Sequence, residues 1–363
     1  MGEQAAVVPV HRPDLGPAEA AAAAACLARG ELSGNGSEVA AFERELAAYV
    51  GRSFAIATSS GTTALELTWL ALGLGPGDEV IVPSFSFAPC ADAVHRVGAH
   101  AVYADCDPRS YGLTPEHAEA VLTPATRAVL AVSMYGQPCD LSGLEAWCRD
   151  RGLLLIEDGA QSLGATHRGR PVGSFGVAGC FSFYANKLVA CGEGGAVVTD
   201  DAAFADRLRL LRSNGVRDNA ERPYERIARG TGVRMGALAA AVGRVQLGRV
   251  EEFLLRRQQH AHRYAEELAG HVSFPALHPD TTRHARWANL VLVDDHAGFV
   301  ERLAAQGVQT RGAYTPLHCM DAGDAVMPGS RDVAARGVVL PSGNGLTAAD
   351  VDRVVTAVRR AIS

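Results

Sequence analysis

The sequence of 363 residues is almost devoid of lysine. Lysine and arginine together number 34, and Lys187 is the single lysine among them. Arginine stays protonated at any workable pH, whereas a desolvated lysine amine can lose its proton and attack a carbonyl carbon. Lys187 is therefore a candidate for forming a Schiff base. A codon bias that replaces nearly every lysine by arginine is the alternative explanation, since it would also leave an occasional survivor.

Blocks of basic residues and long apolar runs are also missing. The net charge is −6 and the arginines are scattered, which argues against nucleic acid or an anionic membrane as a partner. No uncharged run approaches the length of a membrane span, and residues 1–16 lack the basic and apolar regions of a signal peptide. With 48% hydrophobic and 20% charged residues, we expect a globular protein of the cytoplasm.

The cysteines form no recognisable metal or redox motif. None of the eight belongs to a CxxC pair or has zinc-type spacing, and most lie in apolar stretches. We expect free thiols that fill the core, and no metal site. A GxGxxG fingerprint and a Walker P-loop are absent too, so an NAD-dependent oxidoreductase and a nucleoside triphosphatase lose support.

Short apolar runs alternate with helical patterns through the first two thirds of the chain. This alternation predicts an α/β fold, with a mostly parallel central sheet covered by helices on both faces. A long amphipathic helical pattern over 237–270 leads into a second, α+β pattern. We expect a large domain at 1–255 and a smaller C-terminal domain at 256–363. The predicted strands of the large sheet are 54–59, 78–85, 99–105, 127–136 and 152–158, followed by shorter runs at 181–183 and 196–199.

Ligands of open α/β sheets bind beyond the carboxyl ends of the strands, so the residues that follow each strand are informative. Ser60, Gly61 and Thr62 follow the first strand and start a helix, whose free N–H groups could hold a phosphate. Ordinary N-capping explains the same residues. Phe87 follows the second strand, where it could stack on a flat ring or belong to the core.

Two acids and the surroundings of the lysine complete the pattern. Glu157 and Asp158 end a run of apolar residues, and a buried carboxylate there needs a cationic partner. A protonated pyridine nitrogen or a structural arginine would serve equally. Ser182 precedes Lys187, and the glycines at 192–195 form a turn after it. Together these parts match what pyridoxal phosphate requires of a protein, which is a lysine for the aldimine and a group opposite the ring nitrogen.

Further motifs follow one another along nearly the whole chain: ELSGNGSEVAAFERELAAYVG, SGTTAL, GPGDEVIVPSFSF, MYGQP, IEDGAQSLGA, CFSFYANK, GEGGAVVTD, RMGALAAAVGRVQL, YTPLH and LPSGNGLTAADVDRVV. In this order they resemble the DegT/DnrJ/EryC1/StrS family of sugar aminotransferases, within the aspartate aminotransferase (type I) fold.

The resemblance implies a role for each matching residue. Lys187 would form the internal aldimine and then move protons, and Asp158 would pair with the pyridinium nitrogen. Phe87 would stack on the cofactor ring, and Gln161 would lie near the ring face or its 3-oxygen. Gly61, Thr62 and Ser182 would hold the phosphate, beside Ser60. Tyr314 and His318 would face the substrate.

The activity implied is transfer of an amino group, with pyridoxamine phosphate as intermediate, from L-glutamate to a nucleotide-linked keto sugar. The N-terminal segment and FSFYANK are most similar to members that act at C4 of 4-keto-6-deoxy sugars, such as perosamine synthase. A keto-cyclitol of an aminoglycoside pathway is an alternative acceptor. A non-catalytic regulator that binds the cofactor is an alternative of another class. Such a regulator would tolerate loss of Lys187 or Asp158, and both residues are present. Dehydratases of the family carry His in place of the lysine.

The resemblance also implies a homodimer with its active site at the subunit interface. The family pattern G-x-N-x-R-M places an Asn at the phosphate of the neighbouring subunit's cofactor. This chain reads GTGVRM there, so Gly232 stands at the Asn position. A backbone N–H, Arg229 or Arg234 would have to replace that contact, or the cofactor is held more weakly.

Overall fold

The computed structural model describes residues 7–217, 224–321 and 326–362. Within these ranges the α-helices are α1 (Pro17–Ala28), α2 (Ser37–Val50), α3 (Gly61–Leu72), α4 (Pro89–Arg96), α5 (Pro115–Glu119), α6 (Leu141–Arg151), α7 (Ala202–Arg212), α8 (Ala237–Gly248), α9 (Val250–Glu267), α10 (His296–Ala305), α11 (Leu317–Met320), α12 (Pro328–Arg336) and α13 (Ala348–Ile362). The strands are β1 (Phe54–Thr58), β2 (Glu79–Pro83), β3 (His100–Ala104), β4 (Thr126–Val132), β5 (Leu154–Asp158), β6 (Thr166–His167), β7 (Arg170–Pro171), β8 (Ala178–Ser182), β9 (Gly195–Thr199), β10 (Val216–Arg217), β11 (Glu225–Arg226), β12 (Thr281–Arg283), β13 (Asn289–Leu292), β14 (Arg311–Gly312) and β15 (Gly337–Leu340).

A seven-stranded sheet forms the centre of the protein, in the order β1-β9-β8-β5-β4-β2-β3. Only β9 runs antiparallel to its neighbours, because β8 returns directly into it through the glycine turn. The predicted α/β class and the predicted strands are therefore confirmed. The run predicted as a strand over 127–136 is shorter, since β4 ends at Val132 and a 3-10 turn follows at Met134–Gly136.

Both faces of this sheet are buried, as the apolar strands predict. Along β2, Val80 and Val82 join one hydrophobic cluster with Trp69 of α3. Ile81, between them, joins the opposite cluster with Phe42 of α2. Helices thus cover both faces, and the carboxyl ends of the parallel strands meet along one edge.

The C-terminal part contains a smaller antiparallel sheet in the order β13-β15-β14. Helices α10 and α13 pack beside it, and Val8 near the N-terminus pairs with Val308 in the same region. The long helical pattern predicted over 237–270 is two helices, which meet at Arg249. The boundary proposed near residue 255 falls within α9.

The cysteines among the described residues are all free, as the sequence predicts. Six of them are buried, Cys191 is partly buried and Cys319 is exposed. In the described part of the chain, no helix combines the length and apolar character needed to cross a membrane.

Candidate active site

A cleft of about 480 Å³ opens at the carboxyl ends of β1, β5 and β8. Its walls also include residues from the loop after β2 and from the C-terminal part of the chain. The cleft therefore lies where the parallel strands and the following helices predict a ligand site. The predicted site residues that line it are Ser60, Gly61, Thr62, Phe87, Asp158, Ser182, Lys187 and Tyr314.

Lys187 lies in the loop between β8 and β9, with its Nζ 4.5 Å from the centre of the Trp287 ring. Burial lowers the pKa of this amine from 10.5 to about 8, and the nearby Arg311 guanidinium acts in the same direction. The carboxylate of Asp158 opposes the shift without cancelling it. A substantial fraction of Lys187 can therefore be neutral near physiological pH, as a nucleophile or general base requires.

Asp158 is the last residue of β5, and its side chain is only 7% exposed. Its Oδ1 accepts a hydrogen bond from the Ala160 N–H at 2.9 Å, and its Oδ2 accepts one from the Cys90 thiol at 3.2 Å. Burial raises the pKa of this carboxyl, and the charged side chain that lowers it is Lys187, not an arginine. Asp158 can therefore accept a cationic ring nitrogen as a partner in the cleft.

Glu157 has a different environment because adjacent residues of a strand point to opposite faces of the sheet. It is fully buried, and its carboxylate accepts hydrogen bonds from the N–H groups of Gly173 at 2.9 Å and Phe175 at 2.6 Å. Burial raises the pKa of Glu157 to about 7. Of the two acids, Glu157 holds a loop in place and Asp158 faces the cleft.

The start of α3 combines a helix cap with an open end. The Ser60 hydroxyl accepts a hydrogen bond from the Thr63 N–H at 3.1 Å, and the Thr63 hydroxyl accepts one from the Ser60 N–H at 3.0 Å. The capping explanation is thus confirmed for the Ser60 side chain. A Cβ on Gly61 would lie 2.7 Å from the Cβ of Ser182, so the first turn and this hydroxyl adjoin. The free N–H groups of the turn and Ser182 can hold an anion together.

Aromatic rings form part of the wall of the cleft. Phe87 is 49% exposed, and its ring centre lies 5.3 Å from that of Tyr314. Tyr314 stacks in turn on Tyr135, at 5.9 Å with a 10° angle between the rings. Phe87 is therefore not a core aromatic, and its open face is available to a flat ligand.

Two predicted residues do not line the cleft. Gln161 is buried, and its Oε1 accepts a hydrogen bond from the Tyr135 N–H at 2.8 Å, so it supports the aromatic wall from behind. His318 is 1% exposed, with its Nδ1 2.6 Å from the Ser84 hydroxyl. Their predicted contacts with the cofactor ring and the substrate remain predictions.

Comparison with known proteins identifies the family. The model of the DegT/DnrJ/EryC1/StrS aminotransferase family matches residues 13–359. The chain belongs to this family. It is 38% identical over 344 residues to the GDP-perosamine synthase of Caulobacter vibrioides, covering 92% of each chain. It is 41% identical over 336 residues to the erythromycin biosynthesis sensory transduction protein EryC1 of Saccharopolyspora erythraea, covering 90% of each. The crystal structure of the aminotransferase TlmJ from Streptoalloteichus hindustanus superimposes with a TM-score of 0.93 at 34% identity, covering 98% of both chains.

The cleft contains a cation that sequence reasoning missed. Arg311 of β14 lines the cleft and donates a hydrogen bond from Nη2 to the Tyr314 hydroxyl at 3.1 Å. Its Nε is buried and has no hydrogen-bond partner among the described residues. The guanidinium also lies over Trp287, with Cζ 5.5 Å from the ring centre. The signal in the sequence that could have pointed to Arg311 was its position three residues before Tyr314, a predicted site residue.

Gly232, at the position where the family pattern has Asn, pairs with Ser213 in an isolated bridge. It does not line the cleft formed by the described residues. A Cβ on Gly232 would lie 3.2 Å from the Oδ1 of Asn214, which has a left-handed backbone with φ of 65°. The exposed side chain of Asn214 thus lies beside the position that the Asn side chain of the family pattern would take at residue 232.

Proposed function

We propose that this aminotransferase uses pyridoxal 5′-phosphate to move an amino group from L-glutamate to a nucleotide-linked keto sugar, a 4-keto-6-deoxyhexose. The observation that carries the proposal is the pairing of Lys187 and Asp158 in one cleft. An amine whose pKa falls to about 8 faces a buried carboxylate without an arginine partner. The sole lysine of the chain thus lies where carbonyl chemistry needs it, which the codon-bias explanation does not account for.

The residues of the cleft fit this cofactor at each of its ends. The first turn of α3 and the Ser182 hydroxyl would hold the phosphate, because together they offer several donors to an anion. Asp158 would take the protonated ring nitrogen, which would supply the cation that its buried carboxylate lacks. Phe87 would cover one face of the ring.

Bound pyridoxal phosphate supplies a cationic ring that accepts the electron pair left when the Cα proton of the donor is removed. Lys187 would remove that proton with its neutral Nζ and return it at the adjacent carbon. Asp158 would hold the proton on the ring nitrogen, which keeps the ring cationic. The Trp287 ring, whose centre lies 4.5 Å from Nζ, would limit the entry of water to the amine.

Arg311 and Tyr314 are the proposed contacts of the amino donor. A guanidinium forms charge-assisted hydrogen bonds with carboxylates, and the buried Nε of Arg311 is available for one. The hydrogen bond from Nη2 to the Tyr314 hydroxyl keeps the guanidinium oriented toward the cleft. This supports a dicarboxylic or α-amino acid donor such as L-glutamate.

The names of the relatives support a nucleotide sugar as the acceptor. One relative is a GDP-perosamine synthase, and a second, 36% identical over 335 residues, is the dTDP-3-amino-3,4,6-trideoxy-alpha-D-glucose transaminase of Streptomyces venezuelae. The first is named for a GDP-linked product, and the second for a dTDP-linked 3-amino deoxy sugar.

A homodimer with the site at the subunit interface is part of the proposal. Phe87 and Tyr184 border the cleft and are 49% and 47% exposed, a large apolar area for the mouth of an active site. A second copy would cover these rings. Asn214 would then supply the amide that Gly232 lacks to the partner subunit's cofactor phosphate.

The test is amino transfer by the purified protein loaded with pyridoxal phosphate. L-Glutamate and a panel of nucleotide-linked keto sugars and keto-cyclitols are supplied, and mass spectrometry detects the amine product. We expect an amine from a 4-keto-6-deoxy sugar and none with the Lys187→Ala or Lys187→Arg proteins. Lys187→Arg is the sharper control, because it keeps the positive charge but cannot release its proton.

The other outcomes separate the alternatives. An amine product from the keto-cyclitols alone would assign the second acceptor class. Cofactor binding without turnover of any acceptor would instead favour a regulatory protein. A protein that stays colourless with pyridoxal phosphate, and gives no reduced adduct at Lys187 after borohydride, would refute the cofactor assignment.

A further inference from the structure

A second cavity, of about 210 Å³, lies apart from the cleft and is formed by both the N-terminal and the C-terminal parts of the chain. Tyr135 lines this cavity, and its ring stacks on Tyr314, which lines the cleft. The two spaces therefore share an aromatic partition. The proposed function of the cleft uses none of the polar groups of the cavity. Its apolar walls include Phe274 and Leu277, and its polar side includes Gln137, His284, Arg286 and Asn289.

The polar side contains an unpaired cation. The Arg286 guanidinium makes no hydrogen bond or ion pair with any residue of the described ranges, and no acidic side chain lines the cavity there. Burial lowers the pKa of Arg286, and no charged group opposes that shift. The Arg286 nitrogens are not among the fully enclosed unpaired atoms of the described residues, so they are open to a ligand, and an anion at this position would form charge-assisted hydrogen bonds with them.

Asn289 supplies a second, independent observation. It is only 5% exposed, and its side-chain amide forms no hydrogen bond among the described residues. Its amide atoms are not among the fully enclosed unpaired atoms of the described residues, so they remain open to a ligand that forms hydrogen bonds. Gln137 has its amide nitrogen engaged by the carbonyl oxygens of Ser110 at 3.2 Å and Ala276 at 3.1 Å, which orients it as an acceptor. The cavity thus presents a cation, an amide and an acceptor together.

The backbone around these groups is strained in two places. Tyr135 and Arg286 have left-handed backbone conformations, with φ of 53° and 52°, which residues other than glycine rarely adopt. The strain is held by the Ala285 N–H, which donates to the Gly136 carbonyl at 2.8 Å, and by the bond from Tyr135 to Gln161. Strain that the surrounding structure enforces is typical of ligand sites.

We propose that this cavity binds a small organic carboxylate with one ring or a branched apolar body. Its carboxylate would pair with Arg286, and one edge of the ligand would form a hydrogen bond with the Asn289 amide. The size agrees, because a cavity of about 150 Å³ holds one benzene ring and this one is somewhat larger. The aromatic and aliphatic walls would hold the apolar body. His284 adds no second charge, since burial lowers the pKa of its ring and its Nδ1 accepts the Arg286 N–H at 2.9 Å.

Isothermal titration calorimetry with sodium benzoate tests the proposal on the protein loaded with pyridoxal phosphate. We expect a dissociation constant below about 1 mM, which lies within the efficiency limits of a ligand of about nine non-hydrogen atoms. Benzamide, a neutral analogue of the same shape, should bind at least about tenfold more weakly, because it cannot pair with the guanidinium.

Variants locate the binding. Arg286→Gln and Asn289→Leu should each weaken benzoate binding, the former by about tenfold or more. Arg149→Gln removes the same charge from an exposed position and should leave the affinity unchanged. Arg311→Gln should leave it within about twofold, because Arg311 belongs to the cleft. Absence of benzoate binding, or binding that is lost in Arg311→Gln and kept in Arg286→Gln, would overturn the proposal.

Discussion

Replacement of Lys187 by Met should stabilise the folded protein without cofactor while abolishing amino transfer. The reason is the desolvated amine, whose pKa falls from 10.5 to about 8 on folding. At pH 7 the amine is mostly protonated in both states, so the folded state carries nearly the full cost of the buried charge. At about 1.4 kcal/mol per pKa unit, this cost is about 3 kcal/mol at pH 7.

The sign of the pH dependence makes the prediction specific. As the pH rises through 8 the folded protein loses this proton while the unfolded chain keeps it until about 10.5, so the penalty shrinks. The advantage of Lys187→Met should therefore fall from about 3 kcal/mol at pH 7 to about 1 kcal/mol at pH 9.5. Methionine matches the length of the apolar stem and retains contact with the Trp287 ring.

Urea denaturation of the two proteins without cofactor, at equal concentration and at both pH values, measures the difference. Arg149→Met is the matched control, since it removes a positive charge from an exposed side chain and should change stability little at either pH. If Lys187→Met is destabilising at pH 7, or if its effect is the same at both pH values, the lysine is not desolvated as described and the reasoning fails.

Two further substitutions test the two ends of the cleft. Gly61→Ala should weaken pyridoxal phosphate binding by about tenfold or more in a fluorescence titration, because the new Cβ would lie 2.7 Å from that of Ser182. Gly248→Ala, where a Cβ meets open space, is its control, and equal affinities in the two variants would contradict the phosphate site. Arg311→Gln should raise the KM for L-glutamate by about tenfold or more and leave the KM for the sugar unchanged, in steady-state kinetics. A rise in the sugar KM alone would assign Arg311 to the other substrate.

The fold was predictable because its signals are local. Apolar runs of strand length alternate with helical patterns, and the central sheet follows them closely. The missed break at Arg249 shows the limit of this reasoning, since the hydrophobic pattern continues from α8 into α9. Gly248, just before the break, indicates the end of a helix, but the hydrophobic periodicity was given more weight in the prediction.

Local signals predicted the N-terminal half of the candidate site, whereas Tyr314 was predicted through the family resemblance. The residues that follow the strands are marked by the sequence, and strand alternation alone would have separated Glu157 from Asp158. Arg311 and Trp287 could not be placed in this way, because tertiary packing and not a local motif brings them to Lys187. His318, which lies in a conspicuous motif, is instead buried against Ser84.

The single lysine amine beside Trp287 can also serve as an NMR probe. Reductive methylation with ¹³C-formaldehyde would label Lys187 and no other side chain, since the remaining basic side chains are guanidinium groups or imidazoles. The aromatic ring at 4.5 Å would shift its resonance upfield, away from the signal of the α-amino terminus. A single resolved peak would then report the ionisation and the ring contact of this nitrogen in the intact protein.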